Sequence, residues 1–228
     1  MKNKKLLFEQ EILKKGIIPL FYNNDFDICK SISMAIIGSG CSIIEFGFRE
    51  KDSINLYRKL YDFTKSKFPN IFFGAGSVTD PVLASKIIDN GVDFIISPGF
   101  DMDILRNCKK NEISYIPGAA TVSEIMNLNK LGLELIKIFP AKELGGVDFF
   151  EAIRGPLPWL KGIPAGGVNA SEESLHKWFR AGAVALTLGS DLFQKDLIEL
   201  GNYSKIESKL ASLTKKALEE KKYLLEKN

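Results

Sequence analysis

Eight short apolar segments, the longer amphipathic stretches between them and a length of 228 residues predict an α/β fold. The expected form is a single (β/α)8 TIM barrel with an extra N-terminal helix. Strands alternating with helices join in parallel through βαβ units, and eight such units occupy roughly 200–250 residues. A doubly wound sheet is the competing arrangement, but no Gly-x-Gly-x-x-Gly opens a helix after the first strand. No linker, low-complexity tract or change of composition divides the chain, so residues 1–228 are expected to form one domain.

In chain order, Met1-Lys2-Asn3-Lys4-Lys5 is followed by Leu6, Leu7 and Phe8 and then by Glu9 and Glu11, an amphipathic helix rather than a signal peptide. Strands are expected at 17–21, 42–48, 71–76, 93–98, 114–117, 133–140, 162–167 and 184–189, each apolar and bounded by Gly or Pro. Between them, Ile54, Tyr57, Leu60 and Tyr61 show helical spacing, and Asp80-Pro81 marks a helix start before Leu83 and Ile87. Thr121 stands three residues before Glu124 as a capping box. Ile206, Leu210, Leu213, Ala217 and Leu218 define a terminal helix that should close the ring, its Glu219-Glu220-Lys221-Lys222 stretch forming a solvated face.

Hydrophobic residues make up 45% and charged ones 26%, the balance of a water-soluble globular chain. The net charge of +3 is spread along the sequence, so no nucleic-acid or membrane-surface patch is indicated, and no run is long and apolar enough to span a bilayer. The compartment expected is the cytoplasm. Cys29, Cys41 and Cys108 are far apart and form no metal-ligand spacing, so inert buried thiols are expected. The one histidine, His176, sits in a helical pattern and cannot by itself build a zinc site. No metal and no cofactor is expected.

The chemistry centres on Leu133-Glu134-Leu135-Ile136-Lys137-Ile138-Phe139-Pro140. Side chains alternate along a strand, so Leu135, Lys137 and Phe139 share one face and Ile136 and Ile138 the other. Burial among apolar neighbours disfavours an ammonium, and a free amine on a fixed strand is a nucleophile for a carbonyl carbon. In a barrel, strand C-terminal ends surround the active site. Glu45 and Arg49 of the second strand would then meet Lys137 at one mouth, either as functional groups or as an ion-pair network. The seventh and eighth strands end in Ala165-Gly166-Gly167 and Leu188-Gly189-Ser190, where barrels commonly bind phosphate through backbone N–H groups. Ser190 could add a hydroxyl and cap the following helix, and Asp191 would repel an anion unless it points away. Ser97-Pro98-Gly99 and Pro117-Gly118-Ala119 read as turns, and Gly74-Ala75-Gly76-Ser77 puts a hydroxyl near the mouth with little bulk around it.

Taken together, Ile44-Glu45 with Arg49, Gly74-Ala75-Gly76-Ser77-Val78, Ile96-Ser97-Pro98-Gly99, Pro117-Gly118, Lys137-Ile138-Phe139-Pro140-Ala141, Gly155-Pro156, Ala165-Gly166-Gly167 and Gly189-Ser190 resemble the 2-keto-3-deoxy-6-phosphogluconate (KDPG) and 4-hydroxy-2-oxoglutarate (KHG) aldolase family through nearly the whole chain. The resemblance implies a metal-independent class I aldolase on a (β/α)8 barrel, a small keto-acid phosphate as substrate, and a homotrimer. It implies Lys137 as the Schiff-base lysine, Glu45 as general acid/base through water, and Arg49 and Ser77 at the substrate carboxylate. Pro98 and Phe139 would line the pocket, and Gly166, Gly167, Gly189 and Ser190 would hold phosphate. Gly47, where a polar or β-branched residue is frequent, and Ala165, where threonine is common, depart from the family pattern, and Asp191, where tryptophan is frequent, also looks like the related phosphogalactonate aldolases. An isomerase or decarboxylase on a phosphate-binding barrel is the other enzymatic reading.

Overall fold

The computed structural model describes residues 4–49 and 53–227, with side chains to residue 223, so Met1, Lys2 and Asn3 of the charged start lie outside the described residues. The chain opens with α1 (Lys4–Lys15) and β1 (Ile17–Phe21), then α2 (Phe26–Gly38), β2 (Ile43–Gly47), α3 (Ser53–Lys67), β3 (Phe72–Gly76), α4 (Pro81–Asp89) and β4 (Phe94–Ile96). It continues through α5 (Met102–Lys110), β5 (Ser114–Ile116), β6 (Gly118–Ala119), α6 (Val122–Lys130), β7 (Leu135–Ile138), α7 (Gly146–Arg154) and β8 (Lys161–Pro164). It ends with α8 (Glu172–Arg180), β9 (Leu186–Leu188), α9 (Lys195–Glu199) and α10 (Tyr203–Lys227). The strands pair in parallel, in the orders β5-β4-β3-β2-β1-β9 and β6-β7-β8, which makes an α/β fold with a curled parallel sheet.

The expected fifth strand, 114–117, ends at Ile116, because Pro117 has no N–H to give to a ladder, and Gly118–Ala119, expected as part of a turn, form a further short strand, β6. The chain keeps its direction across the break: the Pro117 carbonyl accepts from Lys137 N–H at 2.9 Å, and Gly118 then pairs with Lys137. At the other end of the short sheet, Val184 N–H donates to the carbonyl of Gly162 at 3.0 Å. Local signals hold where they were read. Asp80 caps α4 with Pro81 at its first turn, and Thr121 and Glu124 form the capping box of α6.

Period-two alternation sorts the apolar residues into two layers. Ile44, Ile136, Ile138, Leu186 and Leu188 face the helices and join the large core there. Ile18, Ile43, Phe94, Ile96, Ile116, Leu135 and Ile163 form a second cluster drawn from both sheets. Phe8 and Ile12 of α1 complete it, with the Phe8 ring stacked on Phe94 at 4.2 Å. This apolar layer is the floor on which the inward charged residues stand.

The terminal helix buries Ile206, Leu210, Leu213 and Ala217, whereas Leu218 is 39% exposed. The Glu219–Lys222 stretch is not a plain solvated face. Glu220 is buried and accepts from His176 at 2.9 Å, with Lys216 at 3.0 Å and Arg180 at 3.5 Å, and the Lys221 Nζ lies 5.4 Å from the centre of the Phe179 ring. A helix laid across other helices buries part of its polar flank, which the spacing of its own apolar residues cannot show. The three thiols are free and buried, with burial pushing Cys29 and Cys108 up to about 12 and Cys41 up to about 11.

Candidate active site

Lys137 lies at the middle of β7, 3% exposed, on the inward face above Leu135. Its backbone is fixed on both sides, by pairing with Gly118 of β6 and Ile163 of β8. Its Nζ stands 5.0 Å from the centre of the Phe139 ring. Glu45 lies inward on β2 between Leu20 of β1 and Gly74 of β3, with no exposed surface. Neither carboxylate oxygen has a hydrogen-bond partner among the described residues. Burial pushes the Glu45 carboxyl up to about 7, against the opposing pull of the Lys137 charge. A carboxyl at that value takes or gives a proton near neutral pH with equal ease.

Gly76 on β3 makes this seat. A Cβ on Gly76 would stand 2.7 Å from the Glu45 carboxyl carbon, so the carboxyl occupies the space a larger residue would fill. Ser77, the next residue, adopts φ 61°. Among the described residues Glu45 has no ion-pair partner, and Arg49 is exposed, so no Glu45–Arg49–Lys137 salt-bridge network forms there.

A cavity of about 470 Å³ opens above this layer. It brings together Arg49, Lys137, Phe139, Gly166, Gly167, Gly189 and Ser190 from the ends of four strands. Pro98 lines a neighbouring cavity of about 330 Å³ that shares the Phe139 wall, and Ser77 lines neither. Gly166 and Gly167 take φ of 85° and 75° in succession, a turn that glycine permits at low cost. The turn is stitched to the segment after β7: Ala141 N–H donates to Ala165 O at 2.7 Å and Lys142 N–H to Gly166 O at 3.0 Å. The amides of Gly166, Gly167 and Ser190 have no acceptor among the described residues, which leaves them to a ligand.

Two expectations about the last loop change. Ser190 caps no helix: Leu192 and Phe193 N–H both donate to Gly189 O, closing a turn, and α9 begins at Lys195. The residues after Ser190 are committed to that tight turn before any helix can start. Asp191 is committed elsewhere as well. Its carboxylate accepts from Ala170 N–H at 2.6 Å and lies 3.7 Å from Lys209 Nζ, which offsets its charge.

Lys142, Asn169, Thr187 and Gln194 line the cavity too, and the sequence reading missed them. Lys142 carried a readable signal, following the end of the Lys137 strand where barrel logic gathers functional groups. Thr187 shares a strand face with Gly189 by simple alternation. Asn169 and Gln194 sit in loops and carried no signal. Arg49 and Lys142 have no ion-pair partner among the described residues, and they follow β2 and β7 of separate sheets. Two free cations and three unengaged amides suit a ligand with two anionic groups.

The model of the KDPG and KHG aldolases matches residues 9–209. The 2-dehydro-3-deoxy-phosphogluconate aldolase of Dickeya dadantii is 30% identical over 206 residues, covering 90% of this chain and 94% of its own. The KHG/KDPG aldolase of Escherichia coli K12 is 29% identical over 211 residues, 92% and 96% of the two chains. Among solved structures, the KDPG aldolase of Legionella pneumophila superposes with a TM-score of 0.79 at 27% identity, over 89% and 96% of the chains. That structure holds pyruvate captured at low pH as a covalent carbinolamine intermediate.

Proposed function

The chain belongs to the KDPG and KHG aldolase family, and we propose that it is a class I aldolase cleaving KDPG reversibly to pyruvate and glyceraldehyde 3-phosphate. It would also cleave KHG to pyruvate and glyoxylate. The observation that carries the reading is a buried lysine opening into a cavity beside a buried carboxyl that titrates near 7.

Lys137 Nζ adds to the C2 ketone, and loss of water leaves an iminium. Glu45, through a water, removes the proton of the C4 hydroxyl. The C3–C4 bond breaks, its electrons flow into the iminium to give an enamine, and C4 leaves as the aldehyde. Glu45 then returns its proton to C3, and water hydrolyses the pyruvyl iminium to release pyruvate and Lys137. Arg49, with Ser77, holds the carboxylate. Gly166, Gly167, Gly189, Ser190 and Lys142 hold the phosphate, and this distant grip fixes the reacting carbon over the amine.

The bonds at Pro117 and Gly162 support closure of the two sheets into a (β/α)8 barrel, with α1 as an extra helix flooring it. The chain is read as a cytoplasmic homotrimer, and exposed Phe100, Met102, Val122 and Met126 supply apolar surface near the starts of α5 and α6. Asp191 after Ser190 resembles the phosphogalactonate aldolases, so the phosphogalactonate epimer is the alternative substrate and both epimers belong in the assay.

Borohydride reduction with pyruvate, read by intact mass and peptide mapping, tests the chemistry. A pyruvate-sized adduct on Lys137, absent in Lys137→Arg and Lys137→Ala along with turnover, is the expected result. Turnover by either variant refutes the Schiff base.

A further inference from the structure

Thr187 is a polar residue in an otherwise apolar strand. Leu186 and Leu188 beside it face the helices in the outer core, so Thr187 points inward, on the face it shares with Gly189. It is 4% exposed, and its Oγ1 has no hydrogen-bond partner among the described residues. Among the described hydroxyls buried in this way, it is the one that lines the cavity containing Lys137 and Ser190.

A hydroxyl buried without a partner is destabilising, because it gives up its hydrogen bonds to water and gains none. Valine has the same branched shape, fits a strand equally well and carries no such cost. The residue therefore has a use beyond the packing of its own strand. Its position indicates what that use is. Thr187 precedes Gly189 by two residues, one pleat or roughly 6–7 Å below the strand end assigned above to the phosphate. That depth lies inside the anion grip, along the carbon chain of a ligand whose keto group is at Lys137. The apolar part of the cavity lining is Leu20, Phe139, Ala165 and Val168, which offer no side-chain hydrogen bond.

We propose that the Thr187 hydroxyl exchanges a hydrogen bond with a hydroxyl on the aldehyde half of the substrate, between the bond that breaks and the phosphate. The inference rests on the aldolase reading and deepens it. KDPG carries a hydroxyl at C5 that can meet Thr187, whereas KHG has none beyond C4. Thr187 therefore makes this chain selective for the polyol phosphate. A threonine hydroxyl both donates and accepts, so it can pair with a chain hydroxyl in either sense. A site built to bond a substrate hydroxyl discriminates strongly against an analogue that lacks it.

The test measures kcat/KM on KDPG and on KHG for the wild-type protein, Thr187→Val and Thr187→Ser, with Tm for each. The expected result is a fall of about tenfold or more on KDPG in Thr187→Val, with the KDPG-to-KHG ratio falling by a similar factor. Thr187→Ser restores most of the loss, and Thr187→Val melts no lower than wild type. An unchanged ratio, or a lower Tm with equal losses on both substrates, overturns the assignment. So does a wild-type protein that traps pyruvate but cleaves KHG alone. A wild-type protein that traps no pyruvate under borohydride overturns the aldolase reading itself, and this assignment falls with it.

Discussion

Replacing Glu45 with glutamine removes a buried carboxyl whose ionisation must change on unfolding. In the native state burial holds it at about 7, while its ordinary value is 4.5. The native protein thus keeps a proton between those limits that the unfolded chain has released. Stability consequently falls as pH rises through that window. A rise of roughly two and a half units corresponds to about 3 kcal/mol, most of it lost between pH 5 and pH 8. The assay is urea unfolding of wild type and Glu45→Gln at those two pH values. The wild type should lose about 2–3 kcal/mol more than the variant on going from pH 5 to pH 8, because glutamine does not titrate. The same window should move upward in Lys137→Met, since the Lys137 charge now pulls the carboxyl the other way. Parallel pH dependences for wild type and Glu45→Gln would refute the reasoning, for they would mean the carboxyl is solvated in the folded protein.

Lys142→Ala should raise KM for a phosphorylated substrate about tenfold, since a hydrogen bond to a charged group contributes roughly 1.5–3 kcal/mol and this lysine is exposed. The effect should fall on KM rather than kcat and shrink at high salt, and an unchanged KM in steady-state kinetics at low salt would count against the role. Gly76→Ala drives a methyl into the space of the Glu45 carboxyl. Displacing a general acid/base from its seat should lower kcat by about 100-fold, with KM nearly constant, and wild-type turnover in the alanine variant would show that Glu45 has room to move.

The strand pattern, the alternation that turns Lys137 and Leu135 the same way, and the caps at Asp80 and Thr121 were all legible, because each depends on residues a few positions apart. The break at Pro117 was visible as a proline but not as a split strand, since the fate of one missing donor depends on the neighbouring chain. Glu220 misled for a related reason: its partners His176 and Arg180 belong to another helix.

The site divides along the same line. The sequence by itself determined which groups are present: one lysine in a buried strand, an acid and an arginine four residues apart, and two glycine-rich strand ends. Tertiary structure decided their states and their company. It left both Glu45 oxygens without partners among the described residues, turned the Asp191 carboxylate to Ala170, and placed Lys142 and Thr187 on the same cavity as Lys137. The physical reason is range. Periodicity and capping act within a turn or a pleat, whereas desolvation, ion pairing and cavity shape depend on atoms that the chain brings together from distant positions.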